Sequence, residues 1–182
     1  LSNYKLMEVL NGFRISTAHW DNALSNGHLV YLIGNDDSHD VSDITDIATR
    51  FTMINADENE AEKILSSLEN GNAVGVDFPI IYDETLEQKI KRLKKNLPHI
   101  TQVELKDDTL LVSASKPISK IRFIGQEGKE LKTQKNIKTG TYVIQPEDNY
   151  VRCELKFKDG TTLYLNPITR HENNEITKQR LD

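Results

Sequence analysis

The chain has 182 residues, a net charge of −5, 37% apolar and 28% charged residues, and a single cysteine, Cys153. A chain of this length buries about two thirds of its unfolded surface and needs no staple to fold, and one cysteine excludes both an internal disulfide framework and a multi-cysteine zinc site. The acidic balance argues against a nucleic-acid partner, the apolar runs are too short to cross a bilayer, and 9 Gly with 5 Pro exclude a collagen-like or low-complexity chain.

The first element is a strand over Leu6–Leu10, stopped by the turn signal Asn11-Gly12. A helix over Trp20–Leu24 ends at Asn26-Gly27. The continuous apolar run Leu29–Ile33 reads as a strand buried on both faces, as in a parallel sheet. It delivers Asn35-Asp36-Asp37-Ser38-His39-Asp40 as the loop at its C-terminal end. A short run, Phe51–Ala56, precedes a helix with a capping box at Asn59 and Glu62 and an apolar face of Ala61, Ile64, Leu65 and Leu68. Strand, helix, strand, helix in this order indicates an α/β unit.

Glu84–Asn96 is a charged amphipathic helix or a linker. Beyond Pro98 the chain becomes a series of short strands, Gln102–Leu105, Leu110–Ala114, Ile118–Ile124, Gly140–Ile144, Tyr150–Lys158 and Thr161–Leu165. Tight-turn chemistry separates them, with Asp159-Gly160 the strongest hairpin signal. Such a series suggests a small β-sandwich. The expected organisation is an α/β portion over 1–82, a charged helix or linker over 83–97, the sandwich over 98–170 and a polar tail over 171–182. The chain opens at Leu1, and Tyr4–Asn11 already reads like the interior of a domain, so the expectation is the C-terminal part of a longer protein.

One cluster concentrates chemistry. Asp37 and His39 are spaced D-x-H. In an extended loop, residues two apart point the same way, so a carboxylate and an imidazole can reach one divalent cation. The C-terminal end of a parallel strand is also where ligands gather in α/β folds. Asp36–Asp40 read on composition alone as a polar loop in which Asp36 or Asp40 caps the next helix.

The ordered set E-V-x-N-G (Glu8, Asn11, Gly12), W-D-x-x-L-x-x-G (Trp20, Asp21, Leu24, Gly27), D-D-S-H (Asp36, Asp37, His39) and L-x-x-G (Leu68, Gly71, with Ile64) resembles the polymerase and histidinol phosphatase (PHP) superfamily of metal-dependent phosphoesterases. The stretches Tyr150-Val151-Arg152 and Leu163–Ile168 look like the β-domain that follows the barrel in some bacterial members. The resemblance implies an incomplete PHP-type (β/α) barrel followed by the sandwich. It implies hydrolysis of phosphate esters by a metal-activated water. Asp37 and His39 carry over as metal ligands, for zinc, manganese, iron or magnesium in the complete site. The family's early H-x-H and middle ligands have no counterpart here. The chain alone is therefore expected to bind metal weakly and to lack activity, its partner being the missing N-terminal part of the barrel or a homo-oligomeric neighbour. A bacterial cytoplasm or periplasm, a phosphorylated small molecule and no membrane complete the expectation.

Glu8 is a candidate to support a metal ligand or the strand itself, with direct metal contact as the other reading. Arg14 and His19 are candidate phosphate contacts, and Asp36 a candidate neighbour of the metal. Each also reads as an ordinary surface or half-buried side chain, as do the lysines of Lys89–Lys95 on a solvated helix face. Arg152 and Arg170 are expected to pair with acids of the sandwich, Cys153 to fill the core, and His171 to have no role. A function of another class is a non-catalytic β-sandwich that binds a glycan or a protein partner. That reading expects Tyr142, Tyr150, Phe157 and Tyr164 on an exposed face.

Overall fold

The computed structural model describes residues 4–170 and 176–177. His171 and the rest of the expected tail, apart from 176–177, lie outside the described residues, as does the side chain of Arg170. Among the described residues the fold is mostly β, with 46% strand against 19% helix, in a curled half-barrel sheet and a smaller one.

The smaller sheet begins with β1 (Leu6–Asn11), turns into the two-residue β2 (Arg14–Ile15), and continues through α1 (Thr17–Ser25) to β3 (Tyr31–Asn35). β1 and β3 run parallel, with Leu6 opposite Tyr31 and Asn11 opposite Asn35. This is the expected strand–helix–strand unit. β3 alternates, however, with Leu32 and Gly34 buried and Tyr31 and Ile33 half-buried, so it is covered mainly on one face.

The next strands depart from a parallel barrel. β4 (Arg50–Ile54) and β5 (Ala73–Asp77) pair antiparallel with each other. β5 then pairs with β10 (Thr162–Arg170) and so enters the large sheet, whose other strands are β6 (Ile100–Lys106), β7 (Thr109–Ile124), β8 (Glu130–Val143) and β9 (Tyr150–Phe157). Hydrogen bonding therefore crosses the boundary expected at 83–97. A short apolar run such as Phe51–Ala56 does not encode the direction of its partner.

Between β4 and β5 lies α2 (Ala61–Glu69), whose N-cap is Glu60 without a side-chain cap bond, so the Asn59–Glu62 box does not form. None of its residues is buried, and Leu65 is 56% exposed. The charged segment is a helix, α3 (Leu86–Asn96), opened by a true capping box between Thr85 and Gln88. Asp107 and Asp108, both at positive φ, make the two-residue turn between β6 and β7.

β7 and β8 are long strands that bend together. The register slips between Ser113 and Ile118, around Pro117, and two separately expected strands thereby merge into β7. The first half of β7 pairs with β6 and the second half with β9. The bend folds one half of β8 over the other: Lys132 Nζ donates to Thr141 O at 2.7 Å, and Thr141 N donates to Gln134 Oε1 at 2.9 Å. The expected sandwich is thus a single sheet turned over on itself. Its core holds Val76, Ile121, Phe123, Cys153, Leu155 and Leu163. Full burial raises the Cys153 thiol pKa well above its usual value, in keeping with inert core filling.

The small sheet lies on the opposite face of the large one, around Leu10, Trp20, Leu32, Tyr150 and Tyr164. Gly75 permits the close approach, since a Cβ there would sit 2.8 Å from Leu10 and Leu32. Asn166 joins the layers by accepting from Leu32 N at 2.8 Å and donating to Gly71 O and Ala73 O. Asp21 of α1 receives Arg152 Nε at 2.6 Å, Arg152 Nη2 at 2.7 Å and the Tyr150 hydroxyl at 3.0 Å. Burial alone would make Arg152 less basic, but the bonds and charges of Asp21 and Glu154 outweigh it and raise its pKa. Burial pushes the Tyr150 phenol up to about 12. The W-D pair of the sequence motif is therefore a structural joint between the sheets.

Tyr142, Tyr150, Phe157 and Tyr164 are all buried, between 2% and 8% exposed, so they form no exposed aromatic face. Burial raises Tyr142 and Tyr164 above the ordinary phenol range.

Candidate functional site at the C-terminal ends of the parallel strands

β1 and β3 end side by side, and their ends carry the candidate residues. The Asn11-Gly12 turn after β1 approaches the loop after β3 so closely that a Cβ on Gly12 would lie 1.9 Å from Asp36 O. Asn11 Oδ1 accepts from Phe13 N at 3.0 Å and shapes the turn. Its amide Nδ2 donates to Glu8 Oε1 at 2.7 Å and to Asp37 Oδ2 at 3.2 Å. Asn11 thus holds two carboxylates in one exposed cluster. The His39 ring sits 5.8 Å from the Phe13 ring, against the same turn.

The D-x-H pair is brought there by a route other than strand alternation. Asp37 has φ of 49°, a left-handed conformation that Asp tolerates. Asn35 Oδ1 accepts from Asp37 N at 2.8 Å. Asp46 then accepts from His39 N at 2.7 Å, Asp40 N at 2.9 Å and the Ser38 hydroxyl at 3.2 Å. Those backbone donors lower the Asp46 carboxyl pKa, and the Ser42 hydroxyl and amide do the same for Asp40.

Asp36 serves the backbone. Its carboxylate accepts from Ala48 N, from Thr49 N at 2.7 Å, from the Thr49 hydroxyl at 2.9 Å and from Arg50 N at 2.7 Å. It closes the loop instead of capping a helix. Lys89 of α3 completes the closure: its buried amine donates to Ile44 O and Ile47 O. Desolvation by burial lowers its pKa from 10.5. This lysine is the exception to the solvated face expected for Lys89–Lys95.

Arg14 lies exposed on β2 and His19 exposed on α1, and no hydrogen bond or ion pair among the described residues ties either to Glu8, Asn11 or Asp37. A participant that the sequence did not single out is Arg50. Its Nη1 donates to Asn11 O and Gly12 O, and its Nε meets Asp77 Oδ1 at 3.1 Å. Only the fold brings Arg50 to that turn. Asn11, by contrast, was visible as the strand-ending N-G.

Asp37 and His39 are donors of the kind that divalent cations take. Among the described residues, no group of three or more His, Cys, Asp or Glu side chains is placed to hold a metal ion. No helix among them is long and apolar enough to cross a membrane. No protein-family profile, curated protein or solved structure matches the chain.

Proposed function

We propose that this chain contributes one side of a metal-dependent phosphoesterase site, as the C-terminal portion of a PHP-type barrel. The observation that carries the reading is the Glu8–Asn11–Asp37 cluster with His39 beside it, at the C-terminal ends of two parallel strands. Asp37 and His39 would hold one divalent ion, zinc, manganese, iron or magnesium. Glu8 would orient Asn11, and through it Asp37. When bound, such an ion lowers the pKa of a coordinated water and offsets charge on a phosphate oxygen. Arg50 holds the turn that carries Asn11, and the Asp36 and Lys89 bonds hold the loop that carries both donors.

Two donors leave a metal undersupplied, so the remaining ligands would come from the upstream part of the barrel or from a neighbouring copy. Two features support a missing neighbour. β2 covers β1 only at Leu10 and Asn11, and α2 leaves Leu65 exposed. The test is native mass spectrometry of the purified protein, joined to a phosphomonoester hydrolysis assay. An assembly heavier than 20.8 kDa that holds divalent metal and loses turnover on Asp37→Asn or His39→Asn supports the reading. An active assembly indifferent to both substitutions overturns it.

The second reading, a non-catalytic module that binds a glycan or a protein, draws on a different feature. A groove of about 310 Å³ runs between β4, β5 and β6, lined by Met53, Ile54, Asn72, His99, Ile100 and Gln102 among others.

A further inference from the structure

Six residues stand at one register level across the large sheet, on the face that also carries the small sheet. From β4 to β8 they are Arg50, Asp77, Thr162, Lys156, Lys120 and Lys135. Directly paired residues on neighbouring strands put their side chains on the same face about 5 Å apart. Lys156, Lys120 and Lys135 therefore stand side by side on three adjacent strands, their backbone positions spanning about 10 Å at the ordinary strand spacing.

Like charges directly opposite one another destabilise a sheet, and little on the molecule offsets them. The Lys120 ammonium is 4.0 Å from Glu130, which Arg122 already holds at 2.8 Å. Lys135 and Lys156 are exposed and have no carboxylate within salt-bridge distance among the described residues. At the other end of the row, Arg50 neutralises Asp77 and reaches the Asn11-Gly12 turn. The lysines thus lie on the same row as Arg50, with Asp77 and Thr162 between them.

We propose that this row is a track for a linear chain of phosphate groups. Lys156, Lys120 and Lys135 would bind internal phosphates, and the chain would run along the sheet toward Asp37 and His39. A substrate end at Asp37 and His39 rests on the phosphoesterase reading; binding by the lysines does not. Phosphates in series place more charge per unit length than a carboxylate polymer, which suits lysines carried on strands about 5 Å apart.

The test is a binding titration with linear inorganic polyphosphate, with inorganic phosphate and polyglutamate as comparators, at low and at physiological salt. The triple variant Lys120→Glu, Lys135→Glu, Lys156→Glu is expected to lose affinity by at least about tenfold, which is about 1.4 kcal/mol, and to show a flatter salt dependence. A control triple on the exposed side of α3, Lys91→Glu, Lys94→Glu, Lys95→Glu, carries the same charge change and is expected to bind as the parent does. Equal loss in both triples means that only net charge matters and overturns the track. Polyphosphate binding no tighter than inorganic phosphate or polyglutamate overturns it too. Circular dichroism and urea unfolding of the row variant separate lost binding from lost folding. Because binding is read without turnover, a failure of the row leaves the Asp37 and His39 reading standing, and a failed hydrolysis assay leaves the row standing.

Discussion

Replacing Asp21 by Ala removes the joint between the two sheets. Arg152 is 2% exposed and gives Asp21 two bonds, at 2.6 and 2.7 Å, while Tyr150 gives a third at 3.0 Å. Breaking one partner of a buried ion pair costs about 3–5 kcal/mol, because the remaining charge is left uncompensated. Arg152 keeps one bond, from Nη1 to Glu154 at 2.7 Å, so the expected loss is at the lower end, about 3 kcal/mol. Set against a usual domain stability of about 5–15 kcal/mol, that is a large fraction. Urea unfolding reports it directly, because the single tryptophan, Trp20, is fully buried beside Asp21 with the Arg152 guanidinium 5.0 Å from its ring centroid. The double variant Asp21→Leu, Arg152→Met removes both charges and is expected to be less destabilised than Asp21→Ala alone. A loss below about 1 kcal/mol for Asp21→Ala, or a double variant worse than the single, would refute the claim that this pair joins the layers.

Three further outcomes follow from the same geometry. Lys89→Met leaves Ile44 O and Ile47 O without their donor; it is expected to cost about 1–3 kcal/mol and to speed hydrogen exchange in Asp43–Thr49, and unchanged exchange there would show that the lysine does not hold the loop. Gly12→Ala forces the β1–β2 turn away from Asp36 O, at a cost of about 1–3 kcal/mol, and should shift the amide resonances of Asn11 and Asp37; a stable variant with an unchanged spectrum contradicts the close approach. Asp40 and Asp46 have pKa values lowered from 3.8, so the folded loop is favoured fully above 3.8 and loses that support as pH falls through the lower folded values. Amide shifts of His39 and Ser42 are expected to titrate with midpoints below 3.8, and midpoints at or above it would contradict the hydrogen bonds described.

Much of the smaller sheet was legible because its signals are local. Leu6–Leu10 stops at Asn11-Gly12, and the helix from Trp20 stops at Asn26-Gly27, where Gly27 has φ of 79°. The Asp159-Gly160 turn between β9 and β10 was legible for the same reason, with Gly160 at φ of 94°. Pairing direction was not local, so β4 and β5 could not be assigned to the large sheet from their own residues. The first ten residues of β8, Glu130–Thr139, are too polar to announce themselves as a strand, and a bend at Pro117 reads as a break between two strands. At the site, Asp37 and His39 were visible as a D-x-H pair. The work of Asp36, Asp46 and Lys89 was not, because each bonds to backbone groups that only the folded loop presents.

Manganese titration of isotopically labelled protein, followed by paramagnetic broadening of amide resonances, tests whether a metal binds at the ends of β1 and β3. Even weak binding is localised by this measurement. Broadening is expected to begin at Asn11, Asp37 and His39, and Asp37→Asn is expected to abolish it. Broadening centred on the acidic segment Asp57–Glu62, or spread evenly over the surface, would contradict the assignment of the metal to the ends of β1 and β3.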